Sequence, residues 1–90
     1  MTELTPIYDS RKSFYGKARV ESTRRGVTLW SYDTPVMIWL DATDTFARAS
    51  DQPESQTTSR HMVEFMRQFT GDPTITSKDV RALPVDDYLG

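Results

Sequence analysis

The chain has 90 residues, a formal net charge of −2 and no cysteine. At this length it forms one domain with a modest core, and its 37% hydrophobic and 11% aromatic residues are typical of a folded chain rather than a disordered one. The small net charge excludes a chain-wide attraction to nucleic acid or to anionic membranes. The lack of cysteine excludes disulfides and thiolate metal sites.

The first half of the chain predicts an antiparallel sheet. Residues 1–12 have little periodicity and are interpreted as an N-terminal arm, so residues 13–90 form the single domain. Apolar and polar side chains alternate from residue 13 to residue 21, as in a strand with one face on a core. Asp33 to Pro35 predict a kink or tight turn, because proline lacks an N–H group, and they leave the strand register open: a slip of one residue would exchange which of Met37 and Ile38 faces the core. Further strands are predicted at residues 27–32, 36–40 and, more weakly, 45–49.

The second half predicts helices. An apolar stripe with helical spacing indicates one amphipathic helix, and its members are Met62, Phe65, Met66 and Phe69. Thr57 or Thr58 is expected to cap this helix and Gly71 to end it. A short second helix is expected from Thr76 or Ser77 to Leu83. The predicted fold class is therefore α+β, a meander of three or four antiparallel strands followed by one amphipathic helix and a short C-terminal helix.

Three stretches of the chain carry a resemblance to known proteins. They are Ser13-Phe14-Tyr15-Gly16-Lys17-Ala18, Leu29-Trp30-Ser31-Tyr32-Asp33-Thr34-Pro35-Val36 and Thr57-Thr58-Ser59-Arg60-His61-Met62-Val63-Glu64-Phe65. In this order they resemble a family of small uncharacterised proteins carried by bacteriophages and mobile elements of Gram-positive bacteria. The resemblance covers about residues 8–69 and implies a phage or prophage origin. It implies no particular activity.

Few residues suggest catalysis or metal binding. His61 is the only histidine, and it is interpreted as a boundary residue of the helix that packs on the sheet. As a general base beside Arg60 and Glu64 it would lack a nucleophile or second ligand at usable spacing. Asp41 and Asp44 are interpreted as turn formers. No nucleotide-binding or hydrolase motif is present, so we expect no enzyme activity, no metal and no cofactor.

The polar face of the predicted helix is a secondary candidate site, formed by Arg60, His61, Glu64 and Arg67. Glu64 is three residues from Arg67 and four from Arg60, which is the spacing of ion pairs on a helix surface. We expect this face to be solvated and held by such pairs.

The two faces of the sheet differ in their expected role. An aliphatic set is expected to face the helix: Phe14, Ala18, Val20, Val27, Leu29, Val36, Ile38 and Leu40. The opposite face is the candidate partner-binding surface, with Tyr15, Lys17, Arg19, Trp30, Tyr32, Met37 and Trp39. Exposed tryptophans forgo burial energy, so this face is expected to be covered. The candidates are a second copy of the chain, a foreign partner, or the C-terminal segment from Gly71 onwards with Ile75, Val80, Leu83 and Tyr88.

These observations favour a non-catalytic binding protein. Tyrosine, tryptophan and arginine are typical anchors of protein interfaces, so a host or phage protein is the favoured partner, with a homodimer as another arrangement. Inhibition of a bacterial defence system is one specific form of this function. The alternative is a single-stranded nucleic-acid-binding protein that stacks bases on the same aromatic and basic face. Without a signal peptide or a membrane-spanning run, the expected location is the cytoplasm, the host cytoplasm if a phage encodes the protein.

Overall fold

The computed structural model describes residues 2–5, 7–8, 17–49, 56–86 and 89. Its strands are β1 (Thr2–Glu3), β2 (Ala18–Ser22), β3 (Gly26–Ser31), β4 (Thr34–Leu40), β5 (Thr45–Ala49) and β6 (Val85–Asp86). The helices, α1 (Gln56–Thr70) and α2 (Ser77–Arg81), lie between β5 and β6 in the chain. This architecture confirms the predicted α+β class.

The strands form one sheet in the order of the sequence, β1-β2-β3-β4-β5-β6. The pairs from β1 to β5 are antiparallel, whereas β6 is parallel to β5 because the two helices carry the chain back to the same end. Neither β1 nor β6 was predicted. Both contain only two residues, which is too short for an alternating pattern to be visible in the sequence.

A bulge in β4 reverses the predicted orientation of that strand. Leu29 is opposite Met37 but the next residue, Trp30, is opposite Pro35, so Val36 is an extra residue in the ladder. Proline cannot donate a ladder hydrogen bond and is found at such irregularities. Beyond the bulge Met37 faces the helix and Ile38 faces away from it, which makes the predicted assignment of these two residues wrong.

Helix α1 packs on β3 and β4 and covers one face of the sheet, here called the inner face. The core between them contains Leu4, Ala18, Leu29, Val36, Met37, Phe46, Met62, Phe65, Met66, Ile75 and Val80. Leu4 enters this core directly after β1, and its N–H group donates to the carbonyl of Ala18. The N-terminal arm is therefore a part of the sheet and of the core, at residues 2–4.

The helix ends follow the sequence in part. Gly71 ends α1 with a positive φ of 71° and donates its N–H group to the carbonyl of Arg67, as expected. Thr76 caps α2, and the carboxylate of Asp79 accepts the N–H group of Thr76. The predicted cap of α1 at Thr57 or Thr58 is wrong, since α1 begins at Gln56 and both threonines lie in its first turn.

Some predictions fall on residues that the structure does not describe. The strand predicted from residue 13 is observed from Ala18, and Phe14, Tyr15 and Gly16 lie outside the described residues, as does the boundary after residue 12. In the part of the chain that is described, no helix is both long enough and apolar enough to cross a membrane.

Candidate functional site

The structure separates the seven residues of the predicted partner-binding surface. Met37 is fully buried under α1, and Trp39 is half-buried on the same inner face, where its ring packs 4.9 Å from Phe46 and 5.2 Å from Phe69. Their placement on the opposite face is a wrong prediction, and the bulge at Val36 explains it. Of the predicted surface, these two residues belong to the core side of the sheet.

Lys17 and Tyr32 lie together at one end of the sheet. Tyr32 occupies the two-residue turn between β3 and β4 with a φ of 56°, which is uncommon for a residue with a side chain. The guanidinium of Arg19 donates to the carbonyl of Tyr32 at 2.7 Å and pairs with Asp33 at 3.1 Å, which holds the turn. The Lys17 ammonium lies 5.7 Å from the Tyr32 ring centroid. Tyr15 lies outside the described residues.

Arg19 and Trp30 are direct cross-strand neighbours on the face that α1 does not cover, here called the outer face. Trp30 is half-buried in an open groove of about 400 Å³. Pro35, Ile38 and Leu89 supply apolar walls around the indole ring. The groove is bordered by polar side chains, namely Glu21, Thr23, Arg24, Arg25 and Thr28.

Hydrogen bonds and ion pairs shape this outer groove. The indole N–H of Trp30 donates to the carboxylate of Glu21 at 3.3 Å, which fixes the ring against the strand. The guanidinium of Arg25 pairs with the carboxylate of Asp86 in β6. Leu89 follows in a turn in which its N–H group donates to the Asp86 carbonyl. The C-terminal segment therefore reaches the outer face at Leu89, and the groove around Trp30 stays open beside it.

Most residues of the outer groove could not be predicted from the sequence without knowledge of the strand register. Glu21 and Thr28 are opposite each other in the β2–β3 pair, next to the Arg19–Trp30 pair on the same face. Because side chains alternate between the two faces of a strand, the position of Arg19 on the outer face predicts that Glu21 lies on the same face beside it. Arg25 and Leu89 come from a turn and from the C-terminal segment, and no local pattern in the sequence places them beside Trp30.

The rest of the C-terminal segment packs on the inner side. Ile75 and Val80 are buried in the core under the sheet, and Leu83 is half-buried against it. Tyr88 lies outside the described residues. The hypothesis that this whole segment covers the outer face is therefore wrong for these three apolar residues, because α2 follows α1 on the same side of the sheet.

The secondary candidate site on α1 is also divided. His61 is fully buried, and its Nδ1 atom lies 2.8 Å from the hydroxyl of Ser31 in β3. The hydroxyl of Thr58 lies 3.1 Å from the same Ser31 oxygen. These contacts join α1 to β3 inside the core, so His61 and Ser31 have no access to a substrate from solvent. The interpretation of His61 as a residue that packs on the sheet agrees with this geometry.

Glu64 does not form the expected surface ion pairs. Its side chain is only 1% exposed, and its oxygens accept hydrogen bonds from the backbone N–H groups of Ile7 and Tyr8 at 2.9 and 3.1 Å. Gln68 donates to the same carboxylate and also to the carbonyl of Thr5, at 2.8 Å. The carboxylate fastens the N-terminal arm to α1, and the prediction of a salt-bridged helix face is wrong for this reason.

We expect the Glu64→Gln variant to lower the free energy of unfolding by about 1.5–3 kcal/mol, the range for hydrogen bonds to a charged group. Glutamine has nearly the same shape but loses the charge and one of the two acceptor oxygens. Urea unfolding measures the stability, and amide hydrogen exchange at Ile7 and Tyr8 should accelerate. Asp44→Asn, in an exposed turn at positive φ, is the matched control and should change stability little. Unchanged exchange at both amides would show that the carboxylate does not hold the arm.

Arg60 and Arg67 remain together on one side of α1. They line a cleft between α1 and the start of α2, and both are half-buried. Asp41 and Asp44 lie in the exposed turn between β4 and β5, as expected. Among the residues that the structure describes, no three histidine, aspartate or glutamate side chains converge as ligands for a metal ion.

Comparison with known proteins yields a family. The model of a family of unknown function, DUF8033, matches residues 2–81, which include the sheet from β1 to β5 and both helices. No match was found among curated proteins or among solved structures.

Proposed function

The chain belongs to DUF8033, a family of unknown function, and we propose that it is a non-catalytic protein-binding domain whose outer groove holds a side chain of a partner protein. The observation that carries this proposal is the position of Trp30, half-buried in an open groove with apolar walls and a charged rim. An apolar centre inside a polar rim is the usual anatomy of a protein interface, and tryptophan is the residue most enriched at its energetic centre.

The fixed geometry of Trp30 supports this role. The hydrogen bond to Glu21 holds the indole, so little side-chain entropy is lost when a partner packs on it. Burial of the remaining ring surface adds stabilisation in proportion to the area removed from water. The partner surface that suits the groove has an apolar side chain for the floor and polar groups for the rim.

A protein suits this groove better than a single-stranded nucleic acid. The Glu21 carboxylate lies against the edge of the indole, where it repels a phosphate backbone. Two of the nearby basic side chains already have acidic partners, Arg19 with Asp33 and Arg25 with Asp86. Base stacking on Trp30 would therefore have little electrostatic support, although Lys17 and Arg24 add positive charge near the groove.

The resemblance to proteins of phages and mobile elements supports a finer proposal. In this finer proposal the protein acts in a host cytoplasm and modulates a host or phage protein. A component of a bacterial defence system is one such target. The burial of His61 and Ser31 supports a role without catalysis, since catalytic groups must reach a substrate. Identification of the protein that binds to this chain would distinguish a host target from a phage target.

We expect Trp30→Ala to weaken partner binding by at least about 30-fold, the effect of losing a hot spot worth 2 kcal/mol. The wild type and the variant are used to capture proteins from a bacterial lysate, and the captured protein is then purified and titrated against both. Val85→Ala, which shortens an exposed apolar side chain on β6, is the matched control and should bind as the wild type does. Equal affinity of Trp30→Ala and wild type for the purified partner would overturn the proposal.

Two further measurements test whether a nucleic acid or a second copy of the chain occupies the groove, and the first is tryptophan fluorescence. In a Trp39→Phe background, which keeps an aromatic ring beside Phe46, Trp30 is the only indole. Quenching by single-stranded oligonucleotides at low salt would favour the nucleic-acid alternative. A dimer in solution that Trp30→Ala dissociates would instead identify a second copy of the chain as the partner.

A further inference from the structure

The cleft between α1 and α2 lies on the other side of the sheet from the outer groove and has a different chemistry. Its volume is about 350 Å³, and its walls include Arg60 and Arg67 together with the hydroxyl residues Ser59, Thr76 and Ser77. Arg60 and Arg67 are seven residues apart, which places them on the same side of the helix two turns from each other. The cleft thus combines two guanidinium groups with several hydrogen-bond donors.

Neither arginine forms an ion pair at contact distance in the described part of the chain, although Asp72 lies close enough to Arg67 to interact with its charge. The ion pairs in this part of the chain join Arg19 to Asp33 and Arg25 to Asp86, so neither includes an arginine of the cleft. The Nε atom of Arg67 donates to the carbonyl of Ile75 at 2.9 Å, which orients this guanidinium. A half-buried guanidinium that forms no ion pair is stabilised when an anion replaces the water it has lost.

The nearby carboxylates are engaged elsewhere. Glu64 also lines the cleft, but its oxygens accept the N–H groups of the N-terminal arm and of Gln68. Asp79 is bonded to Thr76. Asp72 is bonded to Thr74, and these bonds, together with the nearby charge of Arg67, lower the pKa of the Asp72 carboxyl below its ordinary value. Two guanidinium groups and one carboxylate, that of Glu64, line the cleft, so its lining carries a net charge of +1.

We propose that this cleft binds the phosphate group of a small phosphorylated molecule. The planar guanidinium donates two parallel hydrogen bonds to phosphate oxygens, and the hydroxyls of Ser59 and Ser77 are further donors. The volume lies within the range of small-molecule sites and exceeds the size of a bare phosphate. The ligand therefore includes an organic part as well as its phosphate, and Val63 supplies an apolar wall for that part.

The test compares ribose 5-phosphate with ribose, by calorimetry and by amide chemical shifts in the full chain. Ribose 5-phosphate is expected to bind saturably and to shift the amides of Ser59, Arg60 and Ser77, whereas ribose shifts none of them. Arg60→Gln should weaken this binding by about tenfold or more, because it removes a charged pair of donors. Arg60→Lys keeps the charge without the planar fork and should bind with intermediate affinity.

The control is Arg81→Gln, which removes an exposed arginine of α2 that does not line the cleft. It loses the same charge and should bind ribose 5-phosphate as the wild type does. Circular dichroism verifies that each variant is folded. No saturable binding at millimolar ribose 5-phosphate would overturn the proposal, as would equal weakening by Arg60→Gln and Arg81→Gln.

Discussion

Replacing Gly26 with alanine is expected to lower the free energy of unfolding by about 3 kcal/mol or more. Gly26 opens β3 with a φ of 150°, a backbone conformation that residues with a side chain rarely adopt. A Cβ atom at this position would also overlap the backbone carbonyl of Trp39 on the neighbouring strand. Since that oxygen belongs to the backbone of β4, the strands would have to separate to make room.

Thermal and urea unfolding measure this effect. For a domain of this size, 3 kcal/mol corresponds to a fall in the melting temperature of about 12–24 °C. Gly71→Ala is the matched control, because Gly71 also has a positive φ but no atom lies within 4 Å of the place that a Cβ atom would occupy. It should lose only about 1 kcal/mol from backbone strain. Similar losses for both variants would mean that the approach of Gly26 to Trp39 contributes nothing.

Replacing Phe65 with alanine is expected to lower the free energy of unfolding by about 3–5 kcal/mol. Phe65 is 1% exposed at the centre of α1, and its ring packs 5.9 Å from Phe46 and 5.1 Å from Phe69. The variant loses the burial energy of the ring and leaves a cavity that the strands cannot fill. In a domain stabilised by about 5–15 kcal/mol, this is a large part of the total.

Phe69→Ala in the next turn is the comparison. Phe69 belongs to the same aromatic group but is 41% exposed, so its removal leaves no enclosed cavity. We expect a loss of about 1–1.5 kcal/mol, measured by the same urea titration. A loss at Phe69 as large as at Phe65 would contradict the packing described for α1.

Regular alternation made much of the fold predictable. Strand β2 and the α1 stripe follow simple periods of two and 3.6, and the predicted strand end at residue 21 lies next to the observed end at Ser22. The strands predicted at residues 27–32 and 45–49 agree within one residue with β3 and β5. The orientation of β4 was not predictable in this way, because one extra residue at Val36 changes the side to which Met37, Ile38 and Trp39 point. A single residue therefore divided the predicted partner-binding surface between the two faces.

Contacts between distant segments were the other part that the sequence did not reveal. The carboxylate of Glu64 accepts hydrogen bonds from Ile7 and Tyr8, which precede it in the chain by 57 and 56 positions. Arg25 pairs with Asp86, which follows it by 61 positions. Local spacing favoured Arg60 and Arg67 as partners of Glu64, which is a valid pattern for an isolated helix. The folded chain offers backbone N–H groups that compete for the same oxygens.

Within the described residues, the sheet ends at both sides in strands of only two residues, β1 and β6. Long, flat, uncharged borders are the templates on which chains of different molecules join into fibrils, and very short borders oppose such growth. A partner that extends the sheet by adding a strand would find little backbone to pair with here. We therefore expect these two borders to contribute little to association between copies of the chain.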